Sequence, residues 1–226
     1  MTCKALFIDF DGTIIDSESV LYESWRLVYR TFGIELDIDQ WVKQIRPVKP
    51  HASAYNYLCS RIHLPQQQEI LSMQKRIDEE LILHCCLREG IKELFDICNM
   101  RLKIPVTIVT SSAMHRIRPI LNRLRIASFV NYLVTSESVR EKKPDPSCFI
   151  YALEQGRVQP ADAFAIEDSP QGIAAAKNAG ITTMAYPNPV TALMDLTKAD
   201  ITIGNGFEAV SYIESGHKPC YFKKNV

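Results

Sequence analysis

Ala5-Leu6-Phe7-Ile8-Asp9-Phe10-Asp11-Gly12-Thr13 sets an unbroken apolar run directly before two aspartates and a glycine. A short apolar run without polar alternation reads as a strand covered on both faces, as in parallel sheets between helix layers. On an extended chain residues i and i+2 share a face, so the carboxylates of Asp9 and Asp11 are expected to enter one pocket. Gly12 lets the chain turn sharply behind them. Two close carboxylates repel, which suits chemistry in which one stays ionised and attacks while the other carries a proton. A solvated strand-end turn accounts for the same residue types. By itself the pattern leaves both readings open.

The same kind of run recurs at Ile104–Thr110, Tyr132–Thr135, Ala163–Glu167, Ile181–Tyr186 and Ile201–Ile203. Between them, helix patterns are expected over Met114–Arg125, Pro146–Gln155, Pro170–Ala179 and Ala192–Lys198. Strand alternating with helix predicts an α/β fold with a doubly wound parallel sheet. In such sheets ligands sit beyond the carboxyl ends of the strands, so the chemistry is expected just after each one. One interval breaks the rhythm: about ninety residues separate Gly12 from the second strand, where a crossover needs a dozen or two. Val20, Leu21, Trp25, Val28 and Phe32 recur at helical spacing there, as do Ile70, Met73, Ile77 and Leu81. The expectation is an inserted helical cap domain over residues 16–86, with the α/β core formed by 1–15 and 87–226.

Composition narrows the partners. The chain is 46% hydrophobic and 23% charged, with 26 basic residues against 26 acidic, so no global field favours nucleic acid or an anionic membrane. Its apolar runs are too short to span a bilayer. The N-terminal run is stopped by Asp9 and Asp11 with no small-residue cleavage site behind it, which argues against a signal peptide. Seven scattered cysteines with no CxxC argue against a disulfide framework or a zinc site and favour reduced thiols in the cytoplasm. Oligomeric state is not legible.

Three further clusters follow strand ends. Thr110-Ser111-Ser112 places hydroxyls and free amides before a helix, a ready anion site, though Ser112 reads better as a plain N-cap. In Lys143-Pro144-Asp145-Pro146 a buried Lys143 could hold a phosphate and neutralise a nucleophile; alone, a solvated lysine before a proline turn is the simpler reading, and it is kept for Lys142. Ala163-Phe164-Ala165-Ile166-Glu167-Asp168-Ser169-Pro170-Gln171-Gly172 ends an apolar strand in two acids, hard oxygen donors suited to Mg²⁺, and starts a helix on Ser169 and Pro170.

Taken in order, Asp9-Phe10-Asp11-Gly12-Thr13, Thr110, Lys143-Pro144-Asp145-Pro146 and Glu167-Asp168-Ser169-Pro170-Gln171-Gly172 resemble the four motifs of the haloacid dehalogenase superfamily. The insertion resembles that family's small helical cap. The resemblance implies an Mg²⁺-dependent phosphatase acting on a small phosphorylated metabolite through an aspartyl phosphate. It implies Asp9 as nucleophile, Asp11 as general acid and base, and Thr110, Ser111 and Lys143 as phosphoryl ligands. Mg²⁺ would sit on Asp9, Asp168 and the Asp11 backbone carbonyl, supported by Glu167. Asp11 argues against dehalogenation, because displacing a halide needs no proton donor. A sugar phosphomutase shares the core machinery, but that branch resembles a pattern with histidine on the first cap helix where this chain has Leu21. A non-catalytic binding module is disfavoured because every catalytic position holds a competent residue. In the cap, Arg46, Lys49 and His51 are expected either to read an anionic substrate or to form a solvated basic loop.

Overall fold

A computed structural model describes residues 3–45, 50–62 and 67–215. Among the described residues six parallel strands form one sheet: β1 (Ala5–Ile8), β2 (Val106–Val109), β3 (Tyr132–Val134), β4 (Ala163–Glu167), β5 (Thr182–Ala185) and β6 (Ile201–Thr202), in the order β3-β2-β1-β4-β5-β6. The register pairs Phe7 with Thr107 on one side and with Ala165 on the other, so β1 lies at the centre. The polar end of β1 therefore opens between two neighbours at the point where the strand order reverses, the place such sheets reserve for a ligand.

The chain divides into two compact units: Met1–Ile15, Cys86–Pro187 and Asp195–Val226 form one, and Asp16–Cys85 with Asn188–Met194 form the other. The second unit is helical. It contains α1 (Ser17–Thr31), a single turn α2 (Ile38–Gln40), α3 (Pro50–Cys59) and α4 (Gln67–His84). Asp16 starts α1 by accepting from the Ser19 amide at 3.0 Å. The helical stripes foreseen in sequence converge on an aromatic core of Trp25, Tyr29 and Trp41 with Val28, Ala54, Leu58 and Ile70. Val190 is buried in the same core, so Asn188–Met194 belongs with these helices although the sequence expectation did not include it.

The sheet unit carries α5 (Ile91–Asp96), α6 (Met114–Arg123), α7 (Ser147–Gly156), α8 (Pro170–Asn178) and α9 (Gly206–Ser215). Alternation along the strands sends Ala5, Phe7, Ala163 and Ala165 to one face, where they pack with Cys148, Phe149, Ala152, Ala175 and Ala176 of α7 and α8. Leu6, Ile8, Val106 and Ile108 are buried too, so both faces of the central strands are covered, as their apolar runs required. No helix among the described residues is long and apolar enough to cross a membrane.

Three sequence expectations need correction. Ala192–Lys198 is not a helix: a single tight turn, Thr191–Leu193, is followed by a loop. There Asp195 accepts from the amide and hydroxyl of Thr197 at 3.0 and 2.5 Å, a local side-chain pairing that competes with helix. The helices α5 and α9 were not foreseen. Gly90 offers α5 no capping side chain, whereas Asn205 does accept from the Glu208 amide at 3.1 Å in the first turn of α9. That second cue was present in the sequence.

The start of α8 matters most for the site. Ser169 accepts from the Gly172 amide at 3.1 Å and Pro170 occupies the first turn. A Cβ on Gly172 would lie 2.0 Å from the Glu167 carboxyl, so the helix can approach β4 this closely only with glycine there. Gly172→Ala is accordingly expected to lower stability by about 1–3 kcal/mol, because the buried carboxylate must move off its partner. Urea denaturation of the variant beside wild type checks this; an unchanged midpoint would show that Glu167 has room to shift.

Candidate active site

The four motifs meet at the carboxyl ends of β1, β2 and β4. Asp9 follows the last residue of β1 and stays in register through its amide, which donates to the Ile166 carbonyl at 2.9 Å. Lys143 reaches the same point from the loop before α7. Its ammonium donates to Asp9 Oδ1 at 2.6 Å, to Glu167 Oε1 at 2.5 Å and to the Val109 carbonyl at 2.8 Å. The solvated reading of this lysine does not hold, since its side chain is 7% exposed, while Lys142 is exposed. Burial pulls the Lys143 pKa down, but the charges of Asp9 and Glu167 outweigh it and hold the ammonium firmly protonated. Burial pushes the Asp9 carboxyl well above the usual range, with Lys143 opposing and Glu167 and Asp168 adding to the rise.

Asp9, Glu167 and Asp168 are all buried, and each can offer a carboxylate oxygen within 4.8 Å of the others. Three crowded, buried carboxylates that offer an all-oxygen donor set fit a hard divalent cation. The residues present therefore fit Mg²⁺. Thr110, Ser111 and Lys143 line one small cavity of about 10 Å³, room for roughly one water-sized atom. Ser111 is exposed, whereas Thr110 is 3% exposed and its amide donates to the Val134 carbonyl at 2.9 Å.

Ser112 is not the N-cap of α6. That place falls to Ala113, which has no side-chain cap, and the Ser112 amide donates instead to Thr110 Oγ1 at 3.0 Å. The Ser112 hydroxyl turns to Asp11, donating to Oδ2 at 2.5 Å. Asp11 stands apart from the buried carboxylate cluster: its Oδ1 accepts from Arg116 Nη1 at 2.6 Å. Gly12, at φ +80°, makes the turn behind it possible.

Two arginines at the site were missed in sequence. Arg116 lies in the first turn of α6, where a cation opposes the helix dipole; that misplaced charge was a usable cue. Arg88 gave no cue. It donates to the carbonyls of Gly12 at 2.6 Å, Tyr186 at 2.8 Å and Pro187 at 2.6 Å, with its guanidinium 3.4 Å from the centre of the Tyr186 ring. It thereby ties the turn behind Asp11 to the loop after β5. Of the three helical-unit candidates, Arg46 and Lys49 lie outside the described residues. His51 is exposed near the start of α3, with its ring centre 6.1 Å from that of Trp25.

A profile of haloacid dehalogenase-like hydrolases matches residues 6–186, and the chain belongs to that family. A phosphorylated carbohydrates phosphatase of Thermotoga maritima is 28% identical over 182 residues, covering 79% of this chain and 82% of its own. A beta-phosphoglucomutase of Bacillus subtilis is 27% identical over 186 residues, covering 79% of this chain and 80% of its own. A HAD family hydrolase of Deinococcus radiodurans, solved with bound phosphate and sodium, shares the fold with a TM-score of 0.79 at 21% identity, covering 95% of this chain and 96% of that one.

Removing the ammonium isolates its electrostatic work. Lys143→Met should cost about 3–5 kcal/mol near pH 7, because Asp9 and Glu167 lose a buried partner. Burial already raises the Asp9 carboxyl in the fold, and without Lys143 to oppose that rise it goes further above its unfolded value, so the folded variant binds more protons than the unfolded chain. Its deficit against wild type should then shrink as the pH is lowered from about 7.5 to about 5. Denaturant titrations at both values decide; a deficit that does not change with pH would mean that lost packing dominates.

Proposed function

We propose that the chain is a phosphatase for small phosphate monoesters that works through a phosphoryl group held covalently on Asp9. The observation that carries the reading is Asp9 itself, a buried carboxylate at the end of the central strand, held by Lys143 beside two further carboxylates. A substrate phosphoryl group would bind against Lys143, Thr110 and Ser111, whose ammonium and hydroxyls suit a phosphate. An Asp9 oxygen attacks phosphorus while the bond to the leaving oxygen breaks. Asp11 passes its proton to that departing alkoxide. A water then attacks the phosphorus on Asp9, Asp11 takes up the water's proton, and the Asp9–phosphorus bond breaks to release phosphate and the free carboxylate.

An Mg²⁺ ion held by Asp9, Asp168 and the Asp11 carbonyl, with Glu167 in support, would supply the positive charge that lets a carboxylate approach a phosphate dianion. Relatives named for phosphorylated carbohydrates and for a phosphoglucomutase support a sugar or polyol phosphate as the substrate class. A phosphomutase differs only in passing the phosphoryl group to a second sugar oxygen instead of water. Leu21 stands on α1 where that branch resembles a pattern with histidine, which favours hydrolysis.

Asp9→Asn keeps the size of the side chain and loses the nucleophile. Turnover of p-nitrophenyl phosphate should fall by at least about a thousandfold while the thermal midpoint is not lowered. A variant retaining even about a tenth of wild-type kcat would remove Asp9 from the mechanism. In wild type, turnover should vanish with a chelator and return with Mg²⁺. Asp168→Ala should raise the Mg²⁺ concentration for half-maximal activity about tenfold or more, and an unchanged value would take Asp168 out of the metal site.

A further inference from the structure

The two aspartates of the first motif are held by different cations. Asp9 is buried with Lys143, whereas Asp11, 22% exposed, pairs with Arg116, 37% exposed. Arg116 belongs to a triangle of contacts: Nη1 donates to Asp11 Oδ1 at 2.6 Å and to Ser112 Oγ at 3.0 Å, and Ser112 Oγ donates to Asp11 Oδ2 at 2.5 Å. Both carboxylate oxygens are thus fixed from the head of α6. An ion pair this open contributes little to stability. A cation in the first turn of a helix is also disfavoured by the dipole. Stability alone therefore does not account for an arginine at this place, but geometry does. Each carboxylate oxygen is held by a different donor, which sets the direction in which the carboxyl faces.

We propose that Arg116 is the positioning residue for Asp11: together with Ser112 it fixes the direction in which the Asp11 carboxyl faces the leaving oxygen of the substrate. The proposal rests on the reading of Asp11 as acid and base given above. Without the guanidinium, Oδ1 loses its charged anchor, and the carboxyl rotates among orientations of which only a fraction can pass a proton. Misplacing a catalytic group by about an ångström costs on the order of a hundredfold in rate.

The test uses two esters that differ in their need for a proton. The value of kcat/KM reports the steps through departure of the leaving group. Departure requires a proton for an alkyl ester such as glycerol 2-phosphate, but not for p-nitrophenyl phosphate, whose phenolate leaves unaided. In Arg116→Met, kcat/KM for glycerol 2-phosphate should fall about ten- to hundredfold, and for p-nitrophenyl phosphate by no more than about threefold. Arg116→Lys, which keeps the charge and one donor, should recover part of the alkyl-ester activity. In an Asp11→Asn background the Arg116→Met change should cost nothing further, because the group it positions is gone. Equal losses on both esters, or losses that add to those of Asp11→Asn, would overturn the proposal and leave Asp11 its role. If Asp11→Asn itself keeps full kcat/KM on glycerol 2-phosphate, the acid role fails and the positioning role falls with it.

Discussion

One ammonium joins the three central strands where the chemistry is expected. Lys143 bonds to the carbonyl that ends β2, to the carboxylate after β1 and to the carboxylate that ends β4. Each contact alone would be an ordinary hydrogen bond. Together they place a buried cation among buried carboxylates, an arrangement in which losing the cation would leave buried negative charge without a partner. Much nearby geometry serves that arrangement. Gly172 leaves space for the Glu167 carboxyl, and burial raises the neighbouring Cys148 thiol to about 11, so it adds no further anion at neutral pH.

This clasp also explains why the two aspartates of the first motif can differ in role. They are two residues apart, yet Asp9 is 6% exposed and bound to a buried ammonium, while Asp11 sits in a half-open network with a hydroxyl and a guanidinium. A nucleophile gains from a fixed position and from charge neutralised nearby. An acid and base needs access to the leaving oxygen and to water. The difference arises because β1 ends at Ile8: Asp9 is still held by backbone pairing to Ile166, and the turn at Gly12 carries Asp11 towards α6.

The helical unit is built on another principle. Its core is aromatic, and its buried polar contacts are specific: Tyr29 donates to the Ala54 carbonyl at 2.6 Å and Gln74 donates to Ser24 at 2.8 Å. Packing of side chains at helical spacing suffices to define such a unit, which is why its stripes were readable along α1 and α4.

The amino-acid sequence by itself determined the fold class, the placement of the candidate chemistry just beyond the strand ends and the identity of Asp9, Lys143, Glu167 and Asp168 as candidates. These follow from local pattern: continuous apolar runs make covered strands, and acids or a lysine just beyond them fall at one edge of the sheet. Whether Lys143 was solvated or buried was not local information, because its partners lie 134 and 24 residues away in the chain. The same holds for Arg88, whose carbonyl partners come from the turn after β1 and the loop after β5, and for Arg116, which meets Asp11 across 105 residues. Asn188–Met194 joined the helical unit through the burial of Val190, which no propensity marks. Sequence pattern tells which surfaces must be covered and where polar groups emerge; only folding decides which distant charges come within a hydrogen bond of each other, because that pairing depends on the register of strands that are far apart in the chain.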